Sequence, residues 1–261
     1  MKLSFSTRGW PELSWQEMMD TAMDMGFSGI EVYNLQKQTD LTDRSGPFHK
    51  YQTAATARQL RENKLTIPCF DTSCDLSEDT TCVDTLLGLM EVARNMQVPY
   101  VVACALQEKE DLVHRNLSRL VTAFENAGVT LLLKTSGIYA NTARLRKMLD
   151  QFASDNLGAL WDVHHPYRDF GESGDTTIKN LGAYVCHVHL RDSDDQGNYQ
   201  LIGEGTMPIE DVMRALSSVN YDGFISLEWK PEWLEDLQDP EIIFPYFVNF
   251  MARFHSTRGM K

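Results

Sequence analysis

Nothing in the 261-residue chain runs apolar for the roughly 18 residues a membrane-spanning helix needs, so no span is expected. Basic residues are scarce: 24 Lys+Arg face 37 Asp+Glu, a formal net charge of −13. That balance argues against nucleic-acid and anionic-membrane partners, because neutralising phosphates requires clustered Lys and Arg. Cysteine is sparse too. The five residues Cys69, Cys74, Cys82, Cys104 and Cys186 are odd in number, irregularly spaced and free of any C-x-x-C pair. A disulfide framework or a thiolate zinc site is thereby disfavoured, and reduced thiols of a cytoplasmic protein are expected. The segment Met1–Arg8 is too polar for the apolar stretch of a signal peptide. There is no low-complexity or Pro/Gly/Ser-rich linker, so residues 1–261 read as a single domain. No Gly-rich dinucleotide turn follows any candidate strand.

What is present is a rhythm. A short β-rich run is followed by a polar loop, an amphipathic helix, and the next run. The first strand spans 2–7, and Ser14 with Glu17 forms a capping-box pattern before a helix carrying Met18, Met19 and Ala22 at helical spacing. Strands are predicted at 29–33, 65–70, 100–104, 129–134, 157–162, 184–190 and 224–229. Helices are predicted at 47–63, 77–96, 109–127, 141–153, near 175–181, 208–219 and 239–254. Runs such as 129–133 are almost wholly apolar, as parallel strands covered on both faces require. Eight such units of about 30 residues each predict an α/β fold, a (β/α)8 TIM barrel. A doubly wound open sheet is the rival.

In a barrel, reactive groups stand at the C-terminal ends of the strands. Those ends offer Glu31, Tyr33 and Asn34; Lys134; Asp162, His164 and His165; His187, His189, Arg191 and Asp192; and Glu228 with Trp229. Four of the seven histidines fall between 164 and 189, at the ends of two consecutive strands. His187 and His189 share one strand face, as do Asp162 and His164 on the strand before. An Asp, one or two His and Glu228 can therefore converge at the barrel mouth. That donor mixture suits a divalent Mn²⁺, Zn²⁺, Co²⁺ or Fe²⁺ better than Ca²⁺. Taken singly, each residue has a plainer reading as a loop cap or a satisfied core group. His187 is read as structural or as supporting a ligand. Trp10 and Trp229 are candidates to stack on a sugar ring, or simply to pack.

Several segments, in order, resemble the xylose isomerase-like TIM-barrel superfamily of sugar phosphate isomerases/epimerases. They are Gly26–Glu31, Trp161–Tyr167, His187–Asp192 (with Arg191 where Lys is commoner), Gly203–Gly205 and Tyr221–Trp229. The likeness runs from Leu3 to about Phe250. It implies a sugar or sugar phosphate isomerase/epimerase working through a metal-assisted enediolate, with a small carbohydrate as partner, a place in carbohydrate metabolism and possible homodimers. It implies Asp162, His189 and Glu228 as metal ligands, Glu228 as an acid/base, and His165 as a substrate contact; Arg191, Glu31, Trp10 and Trp229 are the further substrate-contact candidates.

One position departs. Within Leu131–Gly137, Lys134 stands where the family's fourth ligand, a Glu, is expected. Lys134 can serve as a neutral amine base, can occupy the metal's place by pairing with Asp162 and Glu228, or can swing outward to leave three ligands. The divalent metal is therefore absent on the second of these readings. Lys134, Glu228 and His165 are the catalytic candidates. The alternatives are a degenerate barrel that binds a carbohydrate or a partner, an inosose-dehydratase-like lyase, and a Schiff-base enzyme using Lys134.

Overall fold

A computed structural model describes residues 1–44, 46–78, 81–230 and 239–255. Eight parallel strands form its sheet: β1 (Lys2–Ser6), β2 (Gly29–Glu31), β3 (Cys69–Phe70), β4 (Tyr100–Ala103), β5 (Thr130–Lys134), β6 (Leu157–Asp162), β7 (Val185–Leu190) and β8 (Phe224–Leu227). Each pairs with its sequence neighbours, and β8 returns to β1 with Phe5 opposite Leu227. The β2–β3 seam is thinner. It is closed by the bridges Gly29–Thr66 and Val32–Phe70 and by the Ile30 N–H donating to the Thr66 carbonyl at 3.0 Å. The result is a (β/α)8 barrel.

Nine α-helices occur among the described residues: α1 (Trp15–Asp24), α2 (Thr53–Glu62), α3 (Thr81–Met96), α4 (Glu110–Ala127), α5 (Thr142–Phe152), α6 (His164–Phe170), α7 (Gly174–Leu181), α8 (Ile209–Ser218) and α9 (Pro240–His255). The capping box at Ser14 and Glu17 is complete, with the Ser14 N–H donating to Glu17 at 2.7 Å. Where local signals are weak, the sequence-based boundaries move. The run predicted as a strand over 65–70 pairs as β3 only at Cys69–Phe70, since Pro68 has no N–H to donate to a ladder. The helix predicted from 47 begins at Thr53, because the preceding turns are held by the Thr56 hydroxyl donating to the Pro47 carbonyl at 2.6 Å. Helix α6 lies between the strand predicted at 157–162 and the helix predicted near 175–181, where the sequence reading assigns no element. Its Pro166 lies in the first turn, where a missing N–H costs nothing. A short ribbon pairing Asp192–Ser193 with Tyr199–Gln200 follows β7 and was also not predicted.

Side chains alternate in and out along each strand, so residues two apart form layers inside the barrel. The deeper layer is apolar on one side, where Cys69, Val102, Leu132 and Leu160 pack together. It is polar on the other, where the Ser4 and Ser226 hydroxyls are 2.7 Å apart beside His187. The β6–β7 register shifts by one residue at Ala159/Leu160. That irregularity places His187 opposite Leu160 and His189 opposite Asp162, so both imidazoles face inward.

Gly137 brings the loop after β5 against the loop after β4, just above Lys134. Its φ is +57°, and a Cβ there would lie 2.4 Å from the Ala105 carbonyl oxygen. Gly137→Ala is expected to destabilise the fold by about 2 kcal/mol or more in urea unfolding. An unchanged midpoint would contradict this role.

Candidate active site

Four charged side chains meet at the C-terminal mouth of the barrel. Lys134 ends β5, Asp162 ends β6, Arg191 follows β7, and Glu228 follows β8. The Lys134 ammonium donates to Glu228 Oε1 at 2.8 Å and lies 3.8 Å from Asp162 Oδ2. The Arg191 guanidinium donates to Asp162 Oδ2 at 2.8 Å and also to Glu228 Oε2. The two carboxylates are essentially sealed from solvent, while the Lys134 side chain keeps 10% exposure. Two cations and two anions thus form a closed, nearly dry quartet. Burial alone would push the Glu228 carboxyl up, but Arg191 and Lys134 outweigh it and hold it well below the usual range. Burial likewise opposes the Lys134 charge, yet Glu228, Asp71 and Asp162 raise its pKa above the ordinary lysine value. Lys134 is accordingly a held ammonium, the form that donates hydrogen bonds rather than attacks a carbonyl.

A second cluster adjoins the first. His187 and His189 both donate through Nε2 to Glu31 Oε2, each at 2.8 Å. His187 Nε2 also lies 3.0 Å from the Ser226 hydroxyl. Burial pushes the Glu31 carboxyl up, but His189 and His187 hold it well below the carboxylate norm. Burial opposes the His189 charge and the Glu31 charge outweighs it, so its pKa is raised; burial lowers that of His187. His189 Nδ1 is 3.8 Å from Glu228 Oε1, which links the two clusters.

Asp71 was not a candidate from the sequence. It follows β3 directly and is buried, and one of its carboxylate oxygens lies within 4.8 Å of ligand-type atoms of both His189 and Glu228. Burial raises its carboxyl pKa. It also lines an open cavity of about 470 Å³ together with Tyr33, Leu41, Thr72 and Asp84. Reading the end of the third strand as the others were read would have found it, since Cys69 and Asp71 share a face by the two-residue period.

The other candidates make no side-chain hydrogen bond to the quartet among those described. Trp10 is a core residue, with ring centroids 5.8 Å from Phe5 and 4.1 Å from Phe244; those rings take up the stacking considered for a sugar. Trp229 is 3% exposed, and its backbone oxygen would lie 3.1 Å from a Cβ at Gly9. His165, on α6, faces partly outward and bonds to Asp169 at 3.1 Å. His164 is held by the Ser193 hydroxyl at 3.1 Å, and burial together with Arg191 pushes its pKa down to about 4. The Asp192 carboxylate accepts backbone N–H groups from Ser193, Gly203, Gly205 and Met207, and so organises the loop after β7.

By ligand type, two groups of described residues could hold an ion: Glu31 with His187 and His189, and Asp71 with His189 and Glu228. The set implied by the family resemblance is Asp162, His189 and Glu228. As the side chains stand, that set does not fit a divalent ion. Both Glu228 oxygens and Asp162 Oδ2 accept from Lys134 or Arg191, and Asp162 Oδ1 accepts the His164 N–H at 3.1 Å. A unit charge at roughly 4 Å contributes about 4 kcal/mol of repulsion at an effective dielectric near 20, and twice that against a divalent ion. The Glu31 group meets a different obstacle. Both Nε2 atoms are engaged by the same Glu31 oxygen, Oε2, so the three ligand atoms that meet there are already paired with one another.

Parallel strands with charged groups at the mouth define a TIM-barrel protein whose reactive end is built for polar ligands. The chain belongs to the xylose isomerase-like TIM barrel family, whose sequence model matches residues 19–243. It is 24% identical over 248 residues to fructoselysine 3-epimerase of Escherichia coli O157:H7, covering 87% of this chain and 90% of that protein. Among solved structures, D-psicose 3-epimerase with D-tagatose from Clostridium cellulolyticum H10 superposes with a TM-score of 0.79 at 14% identity, covering 97% of this chain and 99% of the other. The IOLI protein with a bound zinc atom gives 0.77 at 17% identity, with the same coverage. At these identities the structural likenesses establish the fold.

Proposed function

We propose that this chain is an isomerase/epimerase-type enzyme acting on a small polyhydroxylated ketose through an enediolate. The epimerase names of its relatives support the class. The observation that carries the chemistry is a cavity with Asp71 in its wall, since a carboxylate oxygen of Asp71 lies within 4.8 Å of a ligand-type atom of Glu228, the acceptor of the Lys134 ammonium. A cavity of about 470 Å³ suits a hexose-sized ligand.

Enediolate chemistry needs a carboxylate to take the proton beside a carbonyl and donors to hold the oxyanion that results. Glu228 takes the first role when substrate oxygens draw the hydrogen bonds of Lys134 and Arg191 away from it. An epimerisation also needs a proton carrier on the opposite face. With Lys134 where the family's strand-five Glu stands, Asp71 is the carboxylate left to supply it.

The test is incubation with unphosphorylated and phosphorylated ketoses in D2O, followed by NMR. Deuterium should enter at the carbon next to the carbonyl as the epimer or isomer forms. Absence of exchange on every ketose tried would leave binding without turnover as the surviving account, and loss of water from the substrate would favour a dehydratase. Asp71→Asn should lower product formation by about 10²-fold while Glu228-dependent proton exchange continues. Equal loss of exchange and product would remove the two-carboxylate assignment.

A further inference from the structure

We infer that the Lys134 ammonium and the Arg191 guanidinium together stand in the place of a divalent ion at this barrel mouth, and serve as the electrophile for the substrate oxygen. Three observations converge on this. Lys134 and Arg191 each contact both Asp162 and Glu228, the two carboxylates an ion there would need. Those two carboxylates balance the two cations in charge, so the quartet is complete without a further positive group. His189, the third ligand-type group, is turned through Nε2 to Glu31 at 2.8 Å. The cations come from β5 and the end of β7, the strands on either side of β6, and so flank Asp162.

The catalytic half of the inference rests on the function proposed above; the metal half does not. In the reaction, the proton leaves carbon for a carboxylate and the C–H electron pair becomes the C=C bond. The carbonyl π pair moves onto oxygen, where N–H groups of Lys134 and Arg191 receive it. Return of a proton to carbon reverses the flow, so nothing outside the substrate and these residues is consumed.

The experiment is a Mn²⁺ titration of the full chain, read by the EPR signal of the free aquo ion and needing no substrate. The wild-type protein should leave Mn²⁺ free. Lys134→Glu should bind one equivalent at least about 100-fold more tightly, because a cation near the ion becomes a ligand carboxylate. Stoichiometric Mn²⁺ binding by the wild type would overturn the inference. So would a Lys134→Glu protein that is folded by circular dichroism yet binds no better than wild type. Should that variant not fold, Lys134→Gln must still bind Mn²⁺ more tightly than wild type, and a failure there is equally decisive. In the catalytic arm, turnover should survive exhaustive dialysis against a chelator. Loss of turnover restored by Mn²⁺ would overturn the electrophile role. A protein with no turnover on any ketose would sink the proposed function while leaving the titration result standing.

Discussion

Glu228→Gln is expected to lower turnover by about 10²–10⁴-fold with a much smaller change in KM. The substitution keeps the shape of the side chain and removes its ability to take a proton. Its site is demanding: Oε1 accepts from Lys134 at 2.8 Å and Oε2 from Arg191. An amide there can satisfy one of these donors and must turn its own NH2 toward the other. Some destabilisation should therefore accompany the loss of rate. Steady-state kinetics separate the two effects when the folded fraction is first fixed by circular dichroism. Turnover within about threefold of wild type would show that Glu228 is a counter-ion and that the proton moves elsewhere.

Lys134→Met should destabilise the fold by about 3–5 kcal/mol, because removing one member of a buried ionic group leaves the remainder uncompensated. Asp162 and Glu228 would then share Arg191 alone. Urea unfolding at neutral pH measures the loss, and a change below about 1 kcal/mol would mean that solvent already screens the quartet. The pH dependence has a definite sign. The folded-state pKa values of Glu228 and Asp162 are depressed, by Arg191 and Lys134 against burial. Their contribution is present above the ordinary carboxylate range and is lost as pH falls through the folded values. Lys134 has a raised pKa, so its share persists below the ordinary lysine value near 10.4 and is lost only as pH rises through the folded one. The wild type should keep the quartet across the neutral range. Losing Lys134 weakens the depression of both carboxyls, so acid unfolding of Lys134→Met should begin at higher pH.

How far the sequence reaches is clearest strand by strand. β6 was legible to the residue, because an apolar run bounded by Asn156 and closed by Asp162 permits one register with the acid at the mouth. β3 was not, because Pro68 interrupts pairing within an otherwise strand-like segment. The extra helix α6 hid behind a proline that merely occupies its first turn. The lysine substitution at 134 was visible from the order of motifs alone, whereas the partner it found in Arg191 was not. An arginine one residue beyond a strand has a long, jointed side chain, and only its neighbours decide whether it reaches substrate or doubles back onto Asp162 and Glu228.

Periodicity and order along the chain sufficed for the eight-unit barrel and for placing Lys134, Asp162 and Glu228 at strand ends, since both follow from local alternation and chain connectivity. Which cation pairs with which carboxylate, the joining of Glu31 to two imidazoles across 156 and 158 residues, and the entry of Asp71 into the cluster were decided by barrel closure. Those pairings depend on distances between strands remote in sequence, and a linear pattern carries no information about them until the sheet has closed.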